Sequence, residues 1–245
     1  MDKLKWKPAN QPEKGAVSSL CKEIGLSEMV TKILVQRGFE TAERTETFLS
    51  PKLEDLHDPE TMLNMEKAVT RLNKAILTRE RIMVYGDYDV DGTTAVSLVY
   101  SYFKTLNQNI EYYIPDRYKE GYGISRMGID HAQANGVTLI IALDCGIRSN
   151  ELVDYAKSLG IDFIICDHHL PGAELPNAVA ILNPKRKDCD YPYKELSGAG
   201  IGFKLLQGYS KREGFSDEKA LEYIDLVAVS IAADIVPIID ENRVL

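Results

Sequence analysis

Hydrophobic residues follow two different patterns along this chain. In the first 80 residues they recur at the three- and four-residue spacing of amphipathic helices, in the segments AVSSLCKEIGLSEMVTKILVQRG, TAERTETFLSP and NMEKAVTRLNKAIL. The second of these segments is expected to end as a helix before Pro51. We therefore predict a small helical N-terminal region over residues 1–80, and we find no candidate chemistry in it.

After residue 80, short apolar runs alternate with helical segments. The predicted strands are RIMVY (81–85), IEYYI (110–114), VTLIIAL (137–143), IDFIIC (161–166) and AVAIL (178–182). Apolar runs separated by helices of roughly 10–15 residues are typical of βαβ units. We expect an α/β fold over residues 81–245, with a parallel β-sheet of about five strands and helices on both faces.

Composition narrows the class of protein. The chain has 245 residues, of which 44% are hydrophobic and 27% charged, as expected for a soluble globular protein. The start, MDKLKWKPAN, has no apolar targeting segment, and the longest apolar runs are too short to span a bilayer. The four cysteines form no CxxC pair, which argues against a disulfide framework or a zinc knuckle. We predict a cytoplasmic protein without membrane contact.

The formal net charge of −8 argues against broad electrostatic binding of nucleic acid, which normally requires a basic face. Part of the acidic excess is concentrated in candidate metal ligands, however. Two bound divalent cations would halve the net charge, so the objection to a nucleic-acid substrate becomes weaker.

Acidic and histidine residues follow three of the predicted strands. GDYDVDG follows the first strand, DCG (144–146) the third and DHH (167–169) the fourth. In a parallel sheet the ligand lies at the carboxyl ends of the strands, so these residues are expected at one edge. Asp87, Asp89 and Asp91 would raise one another's pKa unless a positive charge lay between them. A bound cation is therefore expected.

The DxDxDG pattern has two other interpretations. An EF-hand calcium loop that starts at Asp87 would need Glu at its twelfth position, which is Leu98, and a helix where a strand is predicted. DVDGT (89–93) resembles the DxDGT signature of haloacid-dehalogenase-type phosphatases. In that family the nucleophile directly follows its strand, whereas Asp89 stands four residues beyond Tyr85, the last residue of the predicted strand. That family also gives no role to a DHH segment. This phosphatase is kept as an alternative.

The donor types indicate which metal is bound. Carboxylates with imidazole and without thiolate suit Mn²⁺ or Mg²⁺. Two such ions about 4 Å apart form a site for phosphate-ester hydrolysis. This site needs a carboxylate shared between the ions, and Asp144 after the middle strand is the candidate.

These residues resemble the DHH phosphoesterase family, most closely its RecJ-type single-strand-specific 5′→3′ exonucleases. GDYDVDGTTA, ALDCGI, CDHHLPG, LSGAGIGFKL and AADIVP match the family's motifs in order. The resemblance covers nearly the whole chain. It implies two-metal hydrolysis of single-stranded DNA to 5′-mononucleotides, in DNA repair and recombination. It also implies a monomer, with a single-strand-binding protein or a helicase as a partner.

The resemblance further implies a second catalytic lobe and an oligonucleotide-binding domain, which we expect to lie outside this chain. The second functional hypothesis is a noncatalytic metal-binding module of the same fold. The complete ligand set favours the enzyme, because degenerate modules usually lose ligands.

The resemblance assigns metal ligands position by position: Asp89, Asp91, the bridging Asp144, His168 and Asp234, with Asp87 binding directly or through water. Neighbouring residues of an extended segment point in alternating directions. We therefore expect His169 to contact the scissile phosphate rather than the ion of His168. Catalytic roles are thus predicted for His169 and, as the bridging ligand, for Asp144. Asp167 is expected to orient a histidine.

Phosphate recognition is expected from cations and backbone amides near the metals. Arg117 and Lys119 lie beside a glycine turn at Gly123, and Ser125 is predicted to cap the next helix. Gly198, in SGAG (197–200), starts another helix. Its two interpretations, approach of the backbone to an anion and close helix packing, remain open.

Overall fold

The structure is a computed structural model that describes Lys7 and residues 9–245. Contacts between residues divide the chain into two compact units, the first ending at Asp55 and the second comprising Leu56–Arg243. The first unit contains the helices α1 (Lys14–Ile24), α2 (Glu28–Gln36) and α3 (Ala42–Leu49). Gly25, at a φ of 71°, ends α1, so the long predicted helical segment is two helices.

The second unit contains the sheet. Its elements are α4 (Met65–Leu77), β1 (Arg81–Gly86), α5 (Val90–Lys104), β2 (Ile110–Tyr113), α6 (Arg126–Ala134), β3 (Val137–Leu143), α7 (Asn150–Ser158), β4 (Asp162–Cys166), β5 (Ala180–Leu182), α8 (Gly198–Glu213), α9 (Glu218–Leu221), α10 (Ile224–Ala233) and α11 (Asp240–Val244).

The five strands form one parallel sheet in the order β2-β1-β3-β4-β5, which confirms the predicted fold class. Alternate side chains of each strand belong to two separate cores. Val84 and Ile141 pack with α4, α5, α8 and α10, whereas Met83 and Ile140 pack with α6 and α7. Because both faces are covered, the strands are nearly continuous apolar runs in the sequence.

Strand lengths follow the position of each strand in the sheet. The central strand β3 has the predicted bounds. The edge strand β5 is shorter than predicted because it pairs only with β4, from Ala180 to Leu182.

The helix α4 packs against the sheet. Its residues Ala68, Val69 and Leu72 are buried in the same core as Val84. The predicted domain boundary lies after residue 80, whereas the contacts assign α4 to the unit that holds the sheet.

Among the described residues, none of the helices combines the length and the apolar character needed to cross a bilayer.

The strand order also locates a site. From β1 the chain moves outward to β2, and β3 then lies on the opposite side of β1. The carboxyl ends of β1 and β3 therefore form the switch point at which open α/β sheets bind their ligands. Asp87 and Asp144 immediately follow these two strands.

Candidate metal centre

Strand ends place the acidic motifs beside one another. Asp144 follows β3, and its amide donates to the Cys166 carbonyl at 2.9 Å. Asp167 follows β4, and its amide donates to the Leu182 carbonyl at 3.1 Å. The hydrogen bonding of the sheet thus continues one residue past each strand and fixes the positions of both aspartates.

Three overlapping groups of side chains at this edge can each hold a cation. In each group, one ligand atom from every residue lies within 4.8 Å of the others. The groups are Asp87, Asp89 and Asp144; Asp91, His168 and Asp234; and Asp144, His168 and His169. Asp144 belongs to two of the three groups, and its Oδ1 lies 3.2 Å from His168 Nε2, a member of the third. All the metal ligands predicted from the sequence come together in these groups.

The imidazole of His168 lies among three carboxylates. Its Nε2 is 3.2 Å from Asp144 Oδ1, 3.7 Å from Asp91 Oδ2 and 3.6 Å from Asp234 Oδ2. The ring is 7% exposed, and its Nδ1 has no hydrogen-bond partner among the described residues. His168 is therefore placed to share a cation with these carboxylates.

Several buried oxygens of the cluster lack partners among the described residues, namely both carboxylate oxygens of Asp87 and Oδ1 of Asp144. Burial raises the pKa of Asp87. Burial, followed by the charges of Asp91, Asp89 and Asp167, raises the pKa of Asp144 to about 10. Bound cations would satisfy these oxygens and favour the ionised form, so the donor set fits a metal centre.

Asp91 is held by the start of α8. Its Oδ2 accepts from the Gly198 amide and its Oδ1 from the Ala199 amide, each at 2.7 Å. Ser230 Oγ also donates to Oδ1, at 2.7 Å. A helix N-terminus favours contact with a negative group, so these hydrogen bonds fix the Asp91 carboxylate in position.

Close approach of α8 to the cluster requires glycine at position 198. A Cβ atom there would lie 2.6 Å from Asp144 Cβ and 2.8 Å from Asp144 Oδ1. Both interpretations of SGAG therefore apply, since the backbone packs closely and also meets an anion. That anion is the carboxylate of Asp91. The Gly198 amide, which is predicted to bind a phosphate, therefore already donates to a side chain.

His169 has a different environment from His168. Its Nδ1 is 2.7 Å from Asp167 Oδ1, and its Nε2 is 3.1 Å from the Tyr122 hydroxyl. The hydrogen bond to Asp167 raises the pKa of His169. Burial alone would raise the pKa of Asp167, but the hydrogen bond and charge of His169, with the Ile147 amide, hold it below its ordinary value. Asp167 thus orients His169.

The predicted phosphate-binding residues are only partly brought to the cluster. Gly123 lines a cavity beside the histidines, with a φ of 78°. Arg117 is exposed, and its guanidinium lies 5.3 Å from the centre of the Tyr88 ring. Ser125 caps α6 as predicted, but its hydroxyl donates to Glu120, so it has no proton left for a phosphate.

Sequence reasoning did not find Tyr122 or Ser230. Tyr122 lies in RYKEGYGIS (117–125), in which phosphate-binding roles are predicted only for the cations, the glycine turn and the serine. Ser230 lies one helical turn before Asp234, so its spacing was the available signal. Neither residue type indicates a metal centre by itself.

Comparison with known proteins agrees with this geometry. The model for the DHH family, N-terminal domain, matches residues 81–231. The chain is 41% identical over 243 residues to the single-stranded-DNA-specific exonuclease RecJ of Bacillus subtilis (strain 168), covering 99% of the chain and 30% of that protein. It is 38% identical over 230 residues to RecJ of Escherichia coli (strain K12), covering 90% of the chain and 39% of that protein. The chain thus spans about a third of the length of these relatives.

Solved structures show the same similarity. RecJ from Thermus thermophilus in complex with Mn²⁺ superposes with a TM-score of 0.78 at 26% identity, covering 96% of this chain and 32% of that one. A crystal structure of exonuclease RecJ bound to manganese gives a TM-score of 0.70 at 31% identity, covering 78% of this chain and 47% of that one.

Proposed function

This chain belongs to the DHH family, and from that membership we propose that it is a metal-dependent phosphodiesterase that hydrolyses single-stranded DNA. The observation that carries the proposal is the overlap of the donor groups at Asp144 and His168. Such a shared centre is what hydrolysis with two metal ions requires. The relatives in Bacillus subtilis and Escherichia coli are single-stranded-DNA-specific exonucleases, which supports the substrate class.

We assign two divalent ions, Mn²⁺ or Mg²⁺, to the cluster. Asp87, Asp89 and Asp144 would hold one ion, and Asp91, His168 and Asp234 the other, with Asp144 next to both. When bound, the ions would supply Lewis-acid chemistry, ionising the attacking water and stabilising charge on the phosphate. The imidazole in the second group favours manganese over magnesium.

The residues around the ions prepare the site. The start of α8 holds Asp91 in a single orientation, so no side-chain rearrangement is needed when substrate arrives. Asp167 accepts a hydrogen bond from His169 Nδ1, which directs Nε2 toward the Tyr122 hydroxyl and the cavity. Because Asp167 raises the pKa of His169, the ring can carry a second proton and donate it to a phosphate oxygen.

The position of Asp89 fits a metal ligand better than it fits the nucleophile of the phosphatase alternative. Its side chain caps α5, accepting from the Gly92 amide at 2.8 Å. A phosphatase nucleophile would follow β1 directly, and that position holds Asp87, outside the DVDGT segment. We do not retain the phosphatase interpretation.

Family membership also leads us to propose the finer properties expected from the sequence. These are 5′→3′ degradation to 5′-mononucleotides, a role in DNA repair and recombination, a cytoplasmic location, a monomeric state, and contact with a single-strand-binding protein or a helicase.

The test is degradation of 5′-labelled single-stranded DNA in the presence of Mn²⁺. We expect release of labelled mononucleotide by the unmodified chain and loss of release in Asp144→Asn. Asp154→Asn is the matched control, because Asp154 is an exposed aspartate on α7 outside the cluster. Binding of Mn²⁺ without any hydrolysis would instead identify a noncatalytic module.

A further inference from the structure

The carboxylate of Asp234 is fixed through its backbone rather than through donors of its own. Its amide donates to the Ser230 carbonyl at 2.9 Å, at the end of α10. Among the described residues, none donates a hydrogen bond to its carboxylate, whereas Asp91 accepts three. The distance of 3.6 Å between Asp234 Oδ2 and His168 Nε2 therefore depends on the path of the chain beyond α10.

The segment that follows Asp234, residues 235–240, begins and ends with a strained residue. Ile235 has a φ of 56° and Asp240 a φ of 50°, in the left-handed region that glycine adopts most readily. A β-branched residue such as Ile235 is especially unfavourable there. The side chain of Ile235 is 87% exposed, so its own packing does not hold this conformation. Contacts elsewhere must hold it.

Hydrogen bonds from two buried side chains hold the middle of this segment. The Pro237 carbonyl accepts from the Tyr193 hydroxyl at 2.9 Å and from Asn242 Nδ2 at 3.1 Å. Asn242 Nδ2 also donates to the Glu195 carbonyl at 2.6 Å. These bonds tie the middle of the segment to the chain before α8.

A buried ion pair holds the far end of the segment. Glu241 directly follows Asp240, and its Oε1 lies 2.5 Å from Lys204 Nζ, with both side chains fully buried. The same oxygen accepts from the His57 amide at 2.9 Å, and Lys204 Nζ donates to the His57 carbonyl at 2.9 Å. The Tyr191 hydroxyl donates to Glu241 Oε2 at 2.6 Å. Both buried charges are thus paired and hydrogen-bonded, as their burial requires.

Lys204 connects this ion pair to the metal centre through α8. The first turn of α8 holds Asp91, and Lys204 lies farther along the same helix. Asp91 and Asp234 belong to the same donor group, together with His168. One helix therefore fixes the first carboxylate directly and the second through Glu241.

We propose that Lys204 is a positioning residue for the metal centre. Through its ion pair with Glu241, it keeps residues 235–240 in their strained conformation, which holds Asp234 in its donor group. The inference rests on the proposed function, since it names the contact that completes one of the two ion sites. Without the ion pair, Ile235 relaxes to a negative φ and carries Asp234 away from the cluster.

The test is calorimetric titration of MnCl₂ into Lys204→Met and into the unmodified chain. We expect the Mn²⁺ affinity of Lys204→Met to fall by about 10- to 100-fold, the usual effect of removing a group that supports a metal ligand. Ile161→Ala is the matched control, because Ile161 is buried in the core on the other face of the sheet, next to the first residue of β4. It should lower stability and leave the Mn²⁺ affinity of the folded chain unchanged.

A second variant tests the strain itself. Ile235→Gly, added to Lys204→Met, should recover part of the lost Mn²⁺ affinity, because glycine adopts a φ of 56° without strain. Amide hydrogen exchange of the metal-free chain gives a readout that needs no ion. Exchange of residues 235–240 should be faster in Lys204→Met than in the unmodified chain, and Ile161→Ala should not show this change.

Unchanged Mn²⁺ affinity in Lys204→Met, or no recovery on adding Ile235→Gly, would overturn the positioning role. Glu241→Gln keeps the size of the side chain and removes its charge, so it gives the same measurement if Lys204→Met does not fold. DNA hydrolysis by the unmodified chain separates the two proposals. Hydrolysis together with an unchanged Mn²⁺ affinity in Lys204→Met contradicts the positioning role alone, whereas no Mn²⁺ binding by the unmodified chain contradicts both.

Discussion

At the scale of single residues, the two adjacent histidines after β4 have separate tasks. Because His168 Nε2 faces three carboxylates, we expect His168→Ala to lose bound Mn²⁺ together with activity. His169→Ala should keep the metal and lower turnover by a factor on the order of 10²–10³, since a positioned donor to the phosphate is lost. The measurement is metal content by elemental analysis beside turnover on labelled single-stranded DNA.

His131→Ala, which changes a half-exposed ring on α6, is the control for this pair. Equal loss of metal in His168→Ala and His169→Ala would show that the roles are divided wrongly. Full activity in both would remove this sheet edge as the active site.

Gly198 carries a second prediction at this scale. Gly198→Ala places a methyl group against Asp144, so α8 must move away from the cluster and release Asp91. We expect a loss of about 1–3 kcal/mol in the free energy of unfolding, with weaker Mn²⁺ binding. Gly15→Ala, on the exposed side of α1, meets no atom within 4 Å and should be neutral or slightly stabilising. Urea denaturation and Mn²⁺ titration of both variants check this, and unchanged Mn²⁺ binding in Gly198→Ala would contradict it.

At the scale of elements, Arg71 ties α4 to the amino end of the sheet. Its Nε donates to Asp162 at 2.6 Å, and its Nη2 donates to Glu80 at 2.7 Å and to the Thr138 carbonyl at 3.3 Å. Arg71→Met should lower the free energy of unfolding by about 1–3 kcal/mol, because it leaves partly buried carboxylates unpaired. Lys74→Met, at an exposed position of the same helix, should change it by less than about 0.5 kcal/mol.

The same network predicts a pH dependence. Burial alone would raise the pKa of Glu80, but hydrogen bonds from Thr138 and Arg71 hold it below its ordinary value of 4.5. A carboxylate with a lowered pKa in the folded state stabilises the fold above the unfolded pKa and loses this contribution as pH falls through the folded pKa. Urea denaturation between pH 7 and pH 3 should therefore show a fall in stability below about pH 4.5. A fall of the same size in Glu80→Gln would contradict this assignment.

At the scale of the whole molecule, the acidic cluster couples folding to metal binding. Mn²⁺ that binds only the folded chain should add about 2.7 kcal/mol to stability at a hundredfold excess over its Kd. Thermal melts with and without Mn²⁺ measure this gain, and Asp144→Asn should remove most of it while Asp154→Asn keeps it. An unchanged Tm of the unmodified chain at millimolar Mn²⁺, with no metal by elemental analysis, would exclude the two-metal centre.

The sequence by itself determined the parallel sheet and the edge at which the site lies. Strands buried on both faces are continuous apolar runs, and helices between them leave a parallel arrangement as the expected one. In such a sheet all carboxyl ends share one edge, so Asp87, Asp144 and Asp167 had to come together. This reasoning needs only local patterns and the rules of βαβ connection.

Only the tertiary structure decided how each ligand is held. Asp91 and Gly198 are 107 residues apart, and Asp91 and Ser230 are 139 apart, so no local pattern reports their hydrogen bonds. The Gly198 amide therefore binds Asp91 instead of a phosphate, and the hydroxyl of Ser125 binds Glu120. The cavity beside His169 is likewise formed by several separate loops. Such contacts depend on packing between distant segments, which residue spacing along the chain does not encode.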